Sequence, residues 1–204
     1  MLIFSIELST IRASVAICDD DRVVAETSWT EARAWHQRLF DETPKLLKQA
    51  GLDWPQIDLF AVGRGPGAFS GIRIGLMAAQ MFAAPLAKKV IAVSSGEALA
   101  AEMGKKPIVV CGDARRGMFW YGVFGDAFDG WKLCTSETFS ALIPSDAVIA
   151  TPHWQQTSAL RDATTTSHRW IEGDQFPTAQ AIARLARAKQ ISEPLEPIYL
   201  HPPV

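Results

Sequence analysis

The stretch from Val62 to Gly75 constrains the fold more than any other part of the sequence. It runs Val-Gly-Arg-Gly-Pro-Gly-Ala-Phe-Ser-Gly-Ile-Arg-Ile-Gly, between an apolar run that ends at Val62 and a segment of helix formers from Ile72 to Ala84. A short apolar run predicts a buried strand, and glycines permit positive φ angles or a close backbone approach. The stretch therefore predicts a strand, a glycine-rich turn and a helix, with Ser70 as the N-cap of the helix.

Three interpretations of this turn are open from spacing alone. Free N–H groups and the helix dipole could bind an anion, although the glycine spacing matches neither a Walker loop nor a dinucleotide fingerprint. Gly75, Ala79 and Ala83 lie four apart on one helix face, so a helix of a partner protein could approach closely. The turn could also be structural, with the helix packed on its own sheet.

The remaining sequence predicts an α/β fold with two lobes. Closely spaced strands at Leu2–Leu8, Ala13–Cys18 and Arg22–Ser28 form an antiparallel meander. An amphipathic helix follows from Trp35 to Gly51, and strands and helices then alternate to Met103. The predicted boundary is at Lys105-Lys106-Pro107, which gives an N-terminal lobe at 1–105 and a smaller C-terminal lobe at 106–204.

Composition limits the classes of function. The 204 residues are 48% hydrophobic and 21% charged, with a formal net charge of −2, which provides no general basic field for nucleic acid. The N-terminus lacks the basic region of a signal peptide, and the longest apolar run is too short to span a membrane. The odd number of widely spaced cysteines is typical of a reducing compartment. We therefore expect a cytoplasmic protein that has no contact with the membrane.

The glycine-rich stretch also resembles the signature Gly-Arg-Gly-Pro-Gly-Ser-Phe-Thr-Gly-Leu-Arg-Ile-Gly of the TsaB (YeaZ) family. Two further segments resemble that family: Asp113 to Gly117, which precedes an aromatic strand, and the tail from Glu196 to Leu200. The resemblance implies two RNase H-like lobes of the actin, sugar-kinase and chaperone ATPase superfold (ASKHA), with the second lobe reduced.

The resemblance implies a non-catalytic scaffold subunit for threonylcarbamoylation of adenosine 37 in tRNA. Such a subunit would pair with TsaD, be joined by TsaE, contact tRNA only through the complex, and form a homodimer when alone. No cofactor is implied, and no metal, because Phe40 stands where TsaD carries the second histidine of a metal-binding pair after His36. The first-lobe helices and the glycine-rich turn would form the interface. Its predicted residues are Trp35, Leu39, Leu46, Arg64, Pro66, Phe69, Ile72, Gly75, Leu76, Ala79 and Ala83.

The superfold resemblance also implies two possible phosphate loops. The first contains Ser9 and Thr10, and the second contains Asp113, Arg115 and Arg116, which could equally form a turn with a surface ion pair. Glu7 replaces the aspartate that the family usually has in the first loop, which disfavours nucleotide hydrolysis. An alternative function is nevertheless a residual nucleotide- or phosphate-binding enzyme. A glycoprotease-like hydrolase is disfavoured, because the sequence has neither a His-Glu-x-x-His motif nor the spacing of a nucleophile elbow.

Overall fold

A computed structural model describes residues 1–31, 37–104, 107–125, 127–165, 167–189 and 194–200. The chain divides into two compact units. The first contains Met1–Ala98 and Pro177–Ile198, and the second contains Leu99–Phe176 and Tyr199–Val204. Each unit is built on a mixed sheet with five described strands, which confirms the predicted α/β fold class.

The first sheet combines an antiparallel half and a parallel half. Its described strands are β1 (Leu2–Glu7), β2 (Arg12–Asp19), β3 (Arg22–Thr30), β4 (Leu59–Gly63) and β5 (Lys89–Val93). The strand order is β3-β2-β1-β4-β5; β1 to β3 pair antiparallel as predicted, and β1, β4 and β5 pair parallel. Parallel neighbours require crossover connections. The helices that follow β3, β4 and β5 are α1 (Gln37–Ala50), α2 (Phe69–Ala83) and α3 (Ser95–Met103).

Both faces of the first sheet are apolar. Phe4 of β1 belongs to a buried cluster that includes Leu39 of α1 and Leu76 of α2. Its neighbour Ile3 belongs to a second cluster with Ile182 of α6 (Ala179–Lys189). Successive side chains of a strand point to opposite faces, so a strand that is covered on both faces is apolar throughout. This accounts for the continuous apolar run in β4 and for the run in β1 that only Ser5 interrupts before Glu7.

Helix α6 belongs to the first unit, whereas the predicted division placed all of 106–204 in the second lobe. The N–H of Ala179 donates to Ser14 Oγ of β2 at 2.9 Å. The buried residues of α6 are Ala179, Ala181, Ile182, Ala183 and Ala186. Packing between residues that are far apart in the sequence leaves no local signal, so the return of the chain to its first unit corrects that division.

The second sheet has the same mixed character. Its described strands are β6 (Ile108–Arg115), β7 (Met118–Phe124), β8 (Lys132–Cys134), β9 (Val148–Ala150) and β10 (Arg169–Trp170), in the order β10-β9-β6-β7-β8. β6, β7 and β8 pair antiparallel, whereas β9 pairs parallel with β6 and β10. Helices α4 (Ser136–Leu142) and α5 (Ser158–Ala163) contribute Phe139 and Leu160 to the core. The sequence did not predict these helices, because such short segments contain too few turns for a periodic pattern.

Helix α2 and the turn that follows it are unusually apolar. Contrary to the expectation from the sequence, the segment Phe69–Leu86 is long and apolar enough, by length and composition alone, to cross a membrane. Its inner face lies in the core of the first unit, where Ile72, Leu76 and Ala79 are buried. The packing of the sheet accounts for the inner face of α2 and leaves its outer face to be explained.

Candidate functional site

The glycine-rich loop between β4 and α2 directs its first N–H groups into its own unit. The N–H of Arg64 donates to the carbonyl oxygen of Val93 at 2.9 Å, and the N–H of Gly65 donates to Ser95 Oγ at 3.1 Å. Ser95 returns a hydrogen bond from its own N–H to the Gly65 carbonyl oxygen at 2.9 Å. These donors are therefore committed to joining β4 to the start of α3.

The second half of the loop packs on the turn after β1. Ala68 N donates to the carbonyl oxygen of Ser9 at 2.6 Å. A Cβ on Gly67 would lie 2.1 Å from that oxygen, and φ of Gly67 is +156°, so this position requires glycine. Ala68 is the N-cap of α2, whereas Ser70, the predicted N-cap, lies exposed inside the first turn of the helix. The geometry favours the structural interpretation of the loop over binding of an anion from solution.

The first predicted phosphate loop is closed. Ser9 is fully buried and Thr10 is 4% exposed. The N–H of Ser9 donates to Glu7 Oε1 at 2.6 Å, and Thr10 Oγ1 donates to the carbonyl oxygen of Arg12 at 3.0 Å. These two loop groups are thus turned toward the chain itself, as in a structural turn.

The second predicted loop forms a strained turn with an ion pair. Asp113 Oδ1 accepts from the N–H of Arg115 at 2.7 Å, and Asp113 Oδ2 lies 3.3 Å from Arg115 Nη1. Arg115, Arg116 and Gly117 all have positive φ, at 68°, 56° and 73°. Non-glycine residues rarely adopt this conformation, so two consecutive arginines in it are held there by their surroundings. The structure thus contains the surface ion pair that the sequence left as one of two alternatives.

Most of the predicted interface lies in the core of the first unit, which corrects that prediction. Its buried members are Leu39, Leu46, Pro66, Ile72, Gly75, Leu76, Ala79 and Ala83. A Cβ on Gly75 would lie 3.4 Å from Val62 and 3.6 Å from Leu8, so the small-residue stripe brings α2 close to its own sheet. Trp35 lies outside the described residues.

The opposite side of α2 carries an exposed apolar surface. Phe69, Met77 and Met81 are 53%, 63% and 61% exposed, and Phe40 of α1 is 45% exposed. The guanidinium of Arg73 lies 3.9 Å from the centroid of the Phe69 ring. We call these five residues the α2 outer face. Clustered apolar side chains of this kind mark interaction sites. Only Phe69 was predicted from the sequence, although the spacing of four along α2 from Phe69 to Met81 could have identified Met77 and Met81.

Arg64, which was predicted to lie in the interface with a partner, forms hydrogen bonds with the segment 194–198 of its own chain. Its Nη1 donates to the carbonyl oxygen of Pro194 at 2.9 Å, and its carbonyl oxygen accepts from the N–H of Ile198 at 2.9 Å. Leu195, between these two contacts, packs against the cluster below α1 and α2. Arg64 therefore fixes the segment 194–198 on the first unit.

The basic end of α6 is neutralised by neighbouring carboxylates. Arg187 Nε lies 3.4 Å from Asp20 Oδ1, and its guanidinium also pairs with Asp21. Lys189 Nζ lies 2.9 Å from Glu97 Oε2. Because these charges are compensated within the chain, this edge is a poor candidate for phosphate contacts with RNA.

Metal-ligating side chains are dispersed across the described residues, where no three His, Cys, Asp or Glu side chains come together as a metal site. Cys18, Cys111 and Cys134 are buried and form no disulfide. Burial raises the pKa of the Cys18 and Cys134 thiols to about 11, which keeps them protonated and unreactive. His36, which was considered from the sequence as a metal ligand, lies outside the described residues.

His153 in the second unit holds the turn that follows β6. Its Nδ1 accepts from the N–H of Asp113 at 3.1 Å, which requires the neutral imidazole. Burial lowers the pKa of His153, the nearby charge of Arg115 adds to this effect, and Asp113 and Asp174 oppose it. Protonation would place a donor opposite the N–H of Asp113, so the turn is built for the uncharged ring.

This arrangement predicts a loss of stability in mild acid. The unfolded imidazole takes up a proton below about pH 6.5 whereas the folded one resists it, so stability falls as the pH drops through that window. We expect His153→Asn, whose side-chain oxygen can still accept, to remove about 2–4 °C of the melting-temperature difference between pH 7.5 and pH 5.5. Thermal denaturation followed by circular dichroism measures this, and an unchanged difference in the variant would contradict it.

Comparison with known proteins matches this chain to proteins of tRNA modification. Residues 23–132 match the model of the TsaD family, tRNA N6-adenosine threonylcarbamoyltransferase. The tRNA threonylcarbamoyladenosine biosynthesis protein TsaB of Bacillus subtilis is 31% identical over 130 residues, which cover 61% of this chain and 55% of that protein. The chain spans about half the length of the curated relatives it matches.

Solved structures extend the similarity to nearly the whole chain. YeaZ from Pseudomonas aeruginosa superposes with a TM-score of 0.80 and 26% identity, covering 98% of this chain and 99% of that one. An activator of 2-hydroxyisocaproyl-CoA dehydratase from Clostridium difficile has a TM-score of 0.53 at 11% identity, with 95% and 99% coverage, and shows the ASKHA fold alone. The chain therefore belongs to the family that the TsaD model describes, and it is similar to the TsaB (YeaZ) proteins.

Proposed function

We propose that this chain is a non-catalytic subunit of a tRNA threonylcarbamoyladenosine system, and that it pairs with a TsaD-type transferase. The observation that carries the proposal is the α2 outer face, which presents three large apolar side chains of one helix to solvent. A partner helix laid across this face would bury them by ridges-into-grooves packing. Arg73, held over the Phe69 ring, supplies an oriented charge within the same surface.

The non-catalytic role is supported by the two loops that resemble phosphate loops. In the first, Ser9 and Thr10 are buried, and in the second, Asp113 is paired with Arg115. An enzyme that binds nucleotide would need such donors to be available to its ligand. Isothermal titration with ATP and Mg²⁺ should give no heat at millimolar ligand, and saturable binding would favour the alternative of a residual nucleotide-binding enzyme.

The proposal extends to the assembly and location of the protein. TsaE would join the pair, tRNA would be contacted through the complex, and the α2 outer face would support a homodimer when TsaD is absent. The compensated charges at the end of α6 are consistent with indirect contact to tRNA. A cytoplasmic location is supported by the three buried, unpaired cysteines.

Two charges on the α2 outer face should prevent pairing. Met77→Glu combined with Met81→Glu places carboxylates at the centre of the surface, where burial in an interface would desolvate them without a partner. We expect affinity for the TsaD of the same organism to fall at least about 100-fold, as hot-spot residues do. Pull-down followed by light scattering of the eluted species, with titration calorimetry for the affinity, makes the measurement.

A matched control tests whether loss of pairing depends on where the carboxylate is added or only on the added negative charge. Ile11, which is 55% exposed in the same unit, is not part of the α2 outer face. Ile11→Glu should leave pairing unchanged. If the double variant pairs normally while remaining folded, the α2 outer face is not the contact surface. If the parent chain does not bind TsaD, the proposed function itself fails.

A further inference from the structure

Glu7 is a carboxylate with no exposed surface, placed at the end of β1. Its Oε1 accepts the N–H of Ser9 at 2.6 Å, a short contact of the kind made by charged acceptors. Burying a carboxylate is costly unless its surroundings are built to stabilise it. The neighbours of Glu7 therefore show what this position is built to hold.

The strand next to β1 leaves room for the carboxylate. The parallel register pairs Ile6 with Val62, which places Gly63 beside Glu7. A Cβ on Gly63 would lie 1.9 Å from Glu7 Oε2 and 2.6 Å from Ser95 Oγ. A side chain at this position would therefore displace the carboxylate and the serine hydroxyl, both of which fill the space in front of Gly63.

The hydroxyls around this space are themselves fixed in position. Ser95 Oγ accepts the N–H of Gly65 at 3.1 Å, which leaves its proton available to donate elsewhere. Ser94 Oγ donates to the Gly65 carbonyl oxygen at 3.2 Å and accepts from Glu97 N at 3.3 Å. These hydrogen bonds connect the start of α3 to the glycine-rich loop.

A spare donor lies in the same turn. Ser9 Oγ is buried and makes no hydrogen bond within the described part of the chain, although the backbone of Ser9 is used on both sides. The N–H of Ser9 donates to the carboxylate, and two buried serine hydroxyls, those of Ser9 and Ser95, belong to the same segments. Backbone N–H groups and hydroxyls are the donors from which anion sites are built. In this chain the anion next to these donors is the carboxylate of Glu7, a side chain of the protein itself.

We propose that the turn after β1, the glycine-rich loop and the start of α3 form an anion-binding site whose permanent occupant is the Glu7 carboxylate. The two oxygens of the carboxylate have different surroundings: Oε1 accepts the N–H of Ser9, and Oε2 occupies the space in front of Gly63 that Ser95 Oγ also borders. Glu7 locks the three segments together and keeps any external anion out. This inference does not depend on the proposed pairing with TsaD.

Removing the side chain should open the site to a small carboxylate supplied in solution. We expect Glu7→Gly to melt about 10 °C below the parent chain, because a buried group is lost and its donors remain. Sodium acetate should raise the melting temperature of this variant by several degrees in a saturable manner. Sodium chloride at the same ionic strength should not, and the parent chain should respond equally to both salts.

Glu7→Gln tests whether the charge is the essential property, since it keeps the size of the side chain. We expect a melting temperature at least about 5 °C below that of the parent and no response to acetate, because the amide still fills the site. Glu26→Gln on β3, where Glu26 is exposed, is the matched control and should melt with the parent.

The two variants overturn the proposal in separate ways. A Glu7→Gln chain as stable as the parent would show that no anion is needed. If Glu7→Gly is folded and acetate acts no differently from chloride, the position is structural and no anion site exists. Should Glu7→Gly be unfolded at the outset, acetate-dependent recovery of the circular dichroism signal replaces the melting shift, and its absence counts equally against the site.

Discussion

Ala79→Trp should unfold the first unit rather than merely prevent pairing with a partner. Ala79 has no exposed surface and lies on the inner face of α2, in the stripe that brings this helix close to β4. The space beside it is small, because a Cβ on Gly75, one turn earlier, would already lie 3.4 Å from Val62. Overpacking of cores commonly costs about 1–3 kcal/mol, and an indole in place of a methyl group should cost more than that. Urea denaturation of the isolated chain gives the free energy of unfolding.

Met77→Trp is the comparison that makes this result specific. Met77 is two residues away on the same helix but 63% exposed, so the same indole there should change the free energy of unfolding by no more than about 0.5 kcal/mol. If Ala79→Trp were as stable as the parent, and lost only its pairing, the small-residue stripe would have to be the interface after all.

Gly112→Ala should destabilise the second unit by about 2–4 kcal/mol, a large effect for one methyl group. The added Cβ would lie 2.3 Å from Trp120 Cζ2 and 2.7 Å from His153 Nδ1. Trp120 is 3% exposed and packs edge-on against Trp131 at 5.4 Å, while His153 is held by its hydrogen bond to Asp113. Neither ring can move away without loss of its own contacts.

Gly125→Ala is the control for that substitution, since a Cβ there meets nothing within 4 Å. Neither Gly112 nor Gly125 has a positive φ, so backbone strain contributes to neither variant. Urea denaturation compares the two variants, and near-ultraviolet circular dichroism shows whether the tryptophans repack. Equal stability of both variants would mean that the rings of Trp120 and His153 can move away from the added methyl group without a cost in stability, contrary to their packing.

The sheets were predictable because their strands carry the signal within a few residues. Apolar runs at Leu2–Glu7 and Leu59–Gly63 identify buried strands, and short turns between the first three strands require antiparallel pairing. The location of α6 was not predictable in the same way. Its amphipathic pattern gives a helix but does not specify which of two sheets it covers.

In the candidate site, too, the sequence predicts features that depend on nearby residues and misses those that depend on packing between distant segments. Helical spacing placed Gly75 and Ala79 together on one face, and small residues permit close approach either to a partner or to the chain's own sheet. Only the position of β4 decides between these outcomes. Met77 and Met81 were overlooked because apolar side chains on a helix are usually core, and their exposure becomes visible only once the core is filled by the opposite face.

Because the ribosome synthesises the chain from its N-terminus, α6 is made after the sheet that it covers. Every described strand has been synthesised by Trp170, yet the sheet face that contains Ile3 and Ile91 stays uncovered until Ala179–Lys189 emerges. A nascent chain therefore carries an open apolar surface through most of its translation, the state in which chaperones engage proteins. Premature termination before α6 should yield a product that aggregates or is degraded, which makes the synthesis of α6 decisive for whether the protein accumulates.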